Sequence, residues 1–429
     1  MGFARDTLIT STSRAIGLVL NVAVTSASAW WLGPEKRGEL AVYIVFGTLL
    51  ALVTSGGVEM AGAYYGGTKK YHLSEVILAE IFIIFVSTVM SIAAAYVLWQ
   101  KPPELMNKMT RVGLMICIGC VPAMLANASF WYLHSALGNT LTYCLGNIIN
   151  VALALVGMFL FCWRTGSSEG AMMAYGIGEL SAATFLLVAL VRRYKFDKII
   201  LNWRCIKDLY IYGIRYYFAR MAQFLNVQIG TFIIAFLGTK EETGFFSVSV
   251  GMVAKLTILP EIIGAVLLSR VVNGQRASLE LTARLVRMVF WVILFVSVLV
   301  ALFCRPIVRI LLSPEFLPAV VPILFMLPGM LLRCCSKTLG IYFNGIGRPG
   351  VNSTAIVTAV VINVIAMYFL LPLYGISGAA ISTSCGYLAD ATVLILFYRF
   401  IFKHPVSLLI PQLGDIRYLS EVILSKMRH

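Results

Sequence analysis

Charged residues are scarce in this chain: only 12% of its 429 residues are Asp, Glu, Lys or Arg, whereas 60% are hydrophobic. A soluble domain carries about 25% charged residues, so this composition excludes a soluble fold. Acidic residues are the scarcer kind, with 19 against 34 basic ones, and the net charge is +15. Anionic lipid headgroups attract basic loops, so nucleic acid is not needed as a partner to explain this charge.

Side chains suited to catalysis or metal binding are also few. The four histidines fit no H-E-x-x-H pattern and suggest no Ser-His-Asp set. Cys117 and Cys120 form one C-x-x-C, but no second pair or nearby histidine completes a tetrahedral site. The run 345–350 matches G-x-G-x-x-G, but it joins two apolar segments instead of following a strand. We therefore expect no enzyme activity, no cofactor and no metal, and we interpret the cysteines in apolar runs as small core residues.

Long apolar runs are what the chain has in abundance. Crossing about 30 Å of hydrocarbon takes roughly 20 helical residues. Twelve runs meet this length, at about 10–32, 39–61, 74–99, 110–133, 139–162, 170–191, 208–237, 244–268, 284–304, 318–343, 351–371 and 376–400. The sequence therefore predicts an all-α polytopic membrane protein with about twelve transmembrane helices.

One pattern recurs at a constant offset of 208 residues. The residues Gly170, Ala171, Gly178, Leu180, Ala183 and Thr184 reappear as Gly378, Ala379, Gly386, Leu388, Ala391 and Thr392. Leu32-Gly33 similarly returns as Leu237-Gly238, 205 residues later. Two copies of a six-span unit enter the membrane in the same orientation, as in many transporters. Ala27-Ser28-Ala29 resembles a signal-peptidase site, but cleavage would leave eleven spans and break this repeat, so we expect the first span to be retained.

The repeat and the loop charges predict domains and orientation. We expect an N-terminal six-helix lobe over 1–200 with a linker from about 192, a C-terminal lobe over 201–402 and a cytoplasmic tail over 403–429. Cytoplasmic loops retain Lys and Arg, and placing the N-terminus inside gives 19 basic residues on the cytoplasmic side against nine outside. Both termini are therefore predicted to be cytoplasmic, with the tail either on the membrane surface or disordered.

Charges inside the spans are the informative residues, because each costs roughly 2.5–3.5 kcal/mol at a helix centre. The cations predicted near mid-span are Arg220, Lys255, Arg333 and Lys337, against the one acid Asp390. Arg333 and Lys337 are four residues apart and share a helix face. This excess of cations favours a hydrated cavity that attracts an anion. The alternative is ion pairing across helices with Asp390 and Glu261, with water for the remainder.

Other intramembrane residues have weaker assignments. Arg14, Glu59, Glu80 and Arg215 fall near predicted cytoplasmic ends, where snorkelling or interfacial pairing is the simpler explanation. Arg14, Arg215 and Glu59 are also predicted as secondary charges that line the cavity or the membrane interface. Asp390 and Glu179 are candidates for ion coupling, because an acid at mid-span can exchange a proton. Asn150 and Asn363 occupy the fifth span of each copy and predict hydrogen bonds between helices.

Several motifs in order carry a resemblance to a known family. They are Leu32-Gly33-Pro34-Glu35-Lys36-Arg37-Gly38, Phe236-Leu237-Gly238 with Gly244 and Ser247, Asn344-Gly345-Ile346-Gly347-Arg348-Pro349, Asn363, and the run 372–381. Through them the chain resembles the polysaccharide biosynthesis flippases of the multidrug, oligosaccharidyl-lipid and polysaccharide exporter superfamily.

The resemblance implies two six-helix lobes around a central cavity that opens alternately to either side of the bacterial cytoplasmic (inner) membrane. It implies a polyprenyl-diphosphate-linked oligosaccharide as cargo, moved outward for a surface polysaccharide such as O-antigen or exopolysaccharide. Implied partners are this lipid-linked oligosaccharide, membrane lipids, a polysaccharide polymerase and other glycan-assembly proteins. The diphosphate matches the mid-span cations, so Arg220, Lys255, Arg333 and Lys337 are its expected ligands. Many relatives carry an acid after the Gln-Ile of span seven; here Gly230 follows Gln228-Ile229, which puts ion coupling at that position in doubt.

Three alternatives stay open. A multidrug exporter coupled to Na⁺ or H⁺ would need acids in the cavity of the first lobe, and span one carries Arg14 with only Asp6 before it. A lipid II flippase usually has two further spans. A membrane scaffold of a glycan-assembly complex would transport nothing, and its buried cations would line no cavity.

Overall fold

The structure is a computed structural model that describes residues 2–100, 108–194, 201–262, 278–402, 406–412 and 414–415. These residues contain helices and no strand. The α-helices are α1 Gly2–Ser55, α2 Val58–Thr68, α3 Leu73–Gln100, α4 Arg111–Ala136, α5 Thr140–Cys162, α6 Ser168–Arg193, α7 Trp203–Leu237, α8 Lys240–Ala254, α9 Ser278–Leu311, α10 Val320–Gly345 and α11 Pro349–Phe402. Short 3₁₀ segments cover Lys255–Thr257, Pro314–Ala319 and Val406–Leu409. The all-α prediction is confirmed.

Ten helical stretches in the described part of the chain are long and apolar enough to cross a membrane. Two of them, α1 and α11, contain 54 residues each, or about 80 Å at 1.5 Å per residue, far more than one crossing needs. Each is interrupted by a glycine with non-helical backbone angles, Gly33 (φ 67°, ψ 177°) in α1 and Gly375 (φ 56°, ψ −138°) in α11. Each interruption lies at the turn that the sequence predicts between two spans, so the ten helices agree with about twelve crossings.

The described residues divide into two compact units. The first contains the chain up to Phe224 together with Thr231–Ser247, and the second contains Leu225–Gly230 and the chain from Val248 onward. The early part of α7 belongs to the first unit because Cys205, Ile206 and Leu209 pack in one apolar cluster with α2 and α3. The predicted lobe boundaries at 200 and 402 stay a prediction.

The repeated glycines have the same role in both copies. A Cβ on Gly170 would press against the carbonyl of Phe161, and one on Gly378 would overlap the carbonyl of Leu370, at the close of the preceding span. Eight residues later, Gly178 lies against Asn150 on α5, and its counterpart Gly386 lies against Asn363. The 208-residue repeat therefore encodes close backbone packing between the last two spans of each copy.

The second predicted span, 39–61, is broken by paired glycines. Gly56 and Gly57 have φ of 60° and 78°, in the left-handed region that favours glycine. A Cβ on Gly57 would come within 2.5 Å of the carbonyl oxygen of Gly213 on α7. The break therefore permits a close backbone approach, and it starts α2, which continues to Thr68.

Alternate loops of the first unit meet at opposite ends, as a membrane protein requires. At one end Glu39 accepts hydrogen bonds from Ser168 and from Lys240, 2.6 and 2.5 Å away. At the other end Lys70 donates to Asp208 at 2.7 Å, and this hydrogen bond raises the pKa of Lys70. The segments after the first, fifth and seventh spans thus meet at one end of this unit, and those after the second and sixth spans meet at the other, while the assignment of one end to the cytoplasm stays a prediction.

The described part of the predicted tail is docked on α9. Arg287 donates to Asp415 at 2.9 Å, and Trp291 donates to the carbonyl of Gln412 at 3.1 Å. Leu409 joins the apolar core of the second unit beside Tyr398 and Val286. The described part of the tail is therefore ordered against the second unit, and its position at the membrane surface stays a prediction; residues 403–405, 413 and 416–429 lie outside the described residues.

All nine cysteines are described, and they are free thiols. Seven are buried, and Cys335 and Cys385 are half-buried. Cys117, Cys120 and Cys162 belong to the main apolar core of the first unit with Tyr43 and Met158. The interpretation of cysteines as small core residues is confirmed for these three.

Candidate functional site

The first unit holds one of the four predicted mid-span cations. Arg220 on α7 places its Nε 3.6 Å from a carboxylate oxygen of Glu59 on α2. One terminal nitrogen of the same guanidinium donates to the hydroxyl of Tyr132 at 3.3 Å, and the group lies 5.8 Å from that ring's centre. The Arg220 side chain is 35% exposed, whereas that of Glu59 is 5% exposed. The guanidinium of Arg220 thus contacts Glu59 and Tyr132 and remains partly exposed to solvent.

A second acid, Glu80 on α3, lies against α2 near Glu59. Glu80 is only 1% exposed, so it does not snorkel to an interface. Neither of its carboxylate oxygens has a hydrogen-bond partner among the described residues. Its carboxyl lies over Gly62 on α2, where a Cβ would overlap the oxygen. The signal that could have found it is an acid seven residues inside the very apolar helix that begins at Leu73.

Glu179, a candidate for ion coupling, lies among amides. It accepts a hydrogen bond from Asn127 at 2.7 Å and another from Asn150, the repeated asparagine of α5. The predicted interhelical role of Asn150 is thus seen in the structure. Glu179 is half-buried and its hydrogen-bond partners are neutral amides, so its charge can change without breaking an ion pair.

The second unit places Arg333 and Asp390 in one buried pair. Arg333 on α10 donates to Asp390 on α11 at 2.7 Å, with exposed side-chain fractions of 9% and 1%. Ser336, one turn further along α10, donates to the same carboxylate oxygen. Tyr387 lies below the guanidinium, its ring centre 5.8 Å away. Asp390, the other coupling candidate, is therefore neutralised by a cation and a hydroxyl.

The remaining two cations of the second unit are half-buried. Lys337 on α10 forms an ion pair with Glu261, and both side chains keep some exposure. Lys255 donates to the carbonyl of Gly251 at 3.1 Å, at the point where α8 passes into a 3₁₀ segment. Among the secondary residues, Arg14 is partly buried in α1 and Arg215 is exposed on α7.

The charge balance around the four cations is more even than the sequence suggested. Three of them have an acidic partner in their own unit, Glu59, Asp390 or Glu261. The alternative of ion pairing with Asp390 and Glu261 is seen for Arg333 and Lys337 in the second unit, and Glu59 is a further acid beside Arg220 that the sequence did not assign as its partner. The structure brings Lys255, Arg333 and Lys337 into the second unit and Arg220 into the first. A single diphosphate site built from all four stays a prediction.

Comparison with known proteins identifies the family of this chain and shows which solved structures have a similar fold. The sequence profile of the polysaccharide biosynthesis protein family matches residues 29–321, well over half of the chain. An uncharacterized membrane protein of Methanocaldococcus jannaschii is 25% identical over 221 residues, covering 49% of this chain and 43% of that protein. The match thus spans less than half the length of this relative.

Two solved structures share the fold over nearly the whole chain. The lipid II flippase MurJ in an inward closed conformation matches with a TM-score of 0.73 at 14% identity, covering 98% of this chain and 93% of the flippase. An inward-facing multidrug resistance MATE family transporter of the MOP superfamily matches with a TM-score of 0.68 at 16% identity, covering 92% and 98%. The resemblance derived from the motifs is confirmed: this multi-pass membrane protein, with the fold of the MOP-superfamily transporters, belongs to the polysaccharide biosynthesis protein family.

Proposed function

We propose that this protein is a flippase for a polyprenyl-diphosphate-linked oligosaccharide, which it moves from the inner to the outer leaflet for surface polysaccharide assembly. The observation that carries the proposal is the accessible guanidinium of Arg220 inside the membrane part of a polysaccharide biosynthesis protein. An intramembrane cation marks a substrate or ion path, and the diphosphate is the anionic part of such a cargo.

The mechanism we infer is alternating access by the two lobes, the sugars in the hydrated cavity and the lipid tail in the bilayer. Arg220 contributes the diphosphate contact of the first lobe. Lys255 and Lys337 are the candidates in the second lobe, because both are half-buried and a diphosphate can compete for their ammonium groups. Arg333 was predicted as a fourth ligand of the diphosphate; because it is paired with the buried Asp390, we assign it a positioning role instead.

A second candidate function is a multidrug exporter coupled to Na⁺ or H⁺. The observation in its favour is Glu179, a half-buried acid of the first unit that has two amide partners. Span one has few acids, as a flippase would predict, but Glu59, Glu80 and Glu179 supply carboxylates on other helices of the first unit, which favours the exporter. A scaffold without transport is the third candidate and predicts that none of these charges matters for glycan export.

Deleting the gene in its native host tests the proposal. We expect lipid-linked oligosaccharide to accumulate on the cytoplasmic leaflet, surface glycan to be lost, and the wild-type protein to reverse both effects. Arg220→Gln should fail to reverse them, whereas Arg204→Gln, an exposed cation on the same helix, should succeed. Unchanged lipid pools with increased drug sensitivity would move the multidrug exporter to first place. Full rescue by a variant in which Arg220, Lys255, Arg333 and Lys337 are all neutral would support the scaffold.

A further inference from the structure

Two acids and one guanidinium in the first unit form a cluster whose charges do not balance. Glu59 on α2 interacts with Arg220 on α7, at a separation of 3.6 Å. The carboxyl of Glu80 on α3 lies over Gly62, one helical turn along α2 from Glu59, so the two carboxylates are near each other and repel when both are ionised. With both acids ionised, the cluster carries two negative charges and one positive charge.

Among the described residues, Arg220 is the cation within ion-pair distance of Glu59, and Lys70, which lies near Cys205, is already paired with Asp208. The other titratable side chains that face the cluster are Cys205 on α7, near Glu80, and the phenols of Tyr132 and Tyr216, which are hydrogen-bonded to each other near Arg220 and Glu59. None of these groups carries a positive charge. A buried carboxylate without a cation or hydrogen bonds is strongly disfavoured and is neutralised instead.

The carboxyl of Glu80 occupies a niche shaped for it. Gly62 on α2 leaves the space in which the carboxyl lies, and any larger residue there would overlap it. Both oxygens of Glu80 and one oxygen of Glu59 are buried and have no hydrogen-bond partner among the described residues. An acid that fits a niche and lacks a partner requires another species to balance it, and a proton is the one that needs no further space.

We propose that Glu59 and Glu80 form a proton-binding pair, and that an anion bound by Arg220 increases the affinity of the pair for protons taken from water. Arg220 is partly exposed and its guanidinium can turn toward a ligand. An anion there draws the guanidinium away from Glu59 and adds its own negative charge, and both effects favour protonation of the acids. By linkage, protons strengthen anion binding to the same extent. Only the identity of the anion as a polyprenyl diphosphate rests on the proposed function.

Infrared spectroscopy of the full-length protein in lipid nanodiscs tests the proton pair without any substrate. We expect a band of a protonated buried carboxyl group in the wild type near neutral pH that is lost in Glu80→Gln. Glu75→Gln on the same helix is the matched control and should keep the band, because Glu75 already accepts hydrogen bonds from His72 and Asn202. Glu179→Gln identifies the contribution of the other buried acid. A wild-type spectrum without this band, or one that Glu80→Gln leaves unchanged, would overturn the proposal.

Calorimetric binding of farnesyl diphosphate, a short polyprenyl diphosphate, tests the coupling. Titrations in buffers of different ionisation enthalpy give the protons taken up per ligand. We expect the wild type to take up more than the Glu59→Gln/Glu80→Gln double variant, and its Kd to tighten more steeply as pH falls, up to about tenfold per pH unit for one linked proton. Equal uptake in the two proteins would overturn the coupling. That result would not contradict the flippase proposal. A failed transport assay would contradict the flippase proposal and would not affect the infrared evidence for the proton-binding pair.

Discussion

The ion pairs of Arg220 and Arg333 are two versions of the same contact, one in each unit. Arg333 is 2.7 Å from Asp390, and both side chains are almost fully buried. Ser336 donates a second hydrogen bond to the same oxygen of the acid. Arg220 is 3.6 Å from Glu59, and its Nε has no hydrogen-bond partner among the described residues. Arg333 therefore forms a short, buried ion pair, whereas Arg220 forms a longer, partly exposed one.

The difference separates a structural cation from one that can meet a ligand. A buried pair with short hydrogen bonds is costly to break, because each charge is left in a low dielectric without its partner. A longer, partly exposed contact contributes little stability and is easily exchanged for another anion. Stability and transport should therefore respond in opposite order to substitutions at the two pairs.

The largest loss of stability is expected for Asp390→Asn. The change leaves the guanidinium of Arg333 buried without an anion, which costs about 3–5 kcal/mol. Thermal unfolding of the purified protein in detergent should show a large decrease in Tm. Replacing both partners with apolar residues, as Arg333→Met and Asp390→Leu, should recover most of the loss. A Tm equal to that of the wild type in Asp390→Asn would show that the pair is not structural.

A smaller loss is expected for Ser336→Ala. This change removes one hydrogen bond from Asp390 and keeps the ion pair, so we expect about 1–3 kcal/mol. The same unfolding measurement checks it, with Ser353→Ala as the control because Ser353 is a hydroxyl that only bonds its own helix. Equal effects of the two changes would contradict a role of Ser336 in holding the acid.

Arg220→Gln should change stability by no more than about 1 kcal/mol, since the contact is long and partly exposed. Its transport of lipid-linked oligosaccharide, followed in reconstituted vesicles, should nevertheless fall at least about tenfold. A variant that unfolds as readily as Asp390→Asn would remove the distinction between the two cations.

Lys337→Gln is expected to have the smallest effect on stability, about 0.5 kcal/mol or less, because both members of its pair with Glu261 are partly exposed. The affinity for farnesyl diphosphate should weaken if Lys337 reaches the substrate. Unchanged affinity would restrict the diphosphate contacts of the second unit to Lys255.

The fold could be predicted from the sequence because the patterns that specify it lie within short stretches of the chain. Apolar run length located the spans, and Gly33 and Gly375 lie at the turns between paired spans. The repeat was also readable, since Gly178 and Gly386 recur with their neighbours in the same order. Close helix packing requires a small residue at each such contact, so the positions of these glycines in the sequence predict where the helices meet.

The charge partners could be predicted only in part, because they depend on contacts between distant residues: Asp390 and Glu261 were named as possible partners, and Glu59 was not. Glu59 was assigned to a span end, but α2 continues to Thr68 and places it about 13 Å inside the helix end. Glu80 likewise lies about 10 Å inside α3. The acids Glu59 and Glu261 were known from the sequence, and only the fold shows that they pair with Arg220 and Lys337.

The burial of the native thiols makes the chain a convenient background for site-specific labelling. Seven of nine cysteines are buried, and a buried thiol reacts slowly with water-soluble reagents. Replacing Cys335 and Cys385 with serine would leave a protein that reacts little with such reagents. A new thiol at Lys69 or Arg164, both exposed, would then react from one side of the membrane only. Labelling intact cells at Arg164→Cys and only permeabilised cells at Lys69→Cys would fix the orientation of the whole chain.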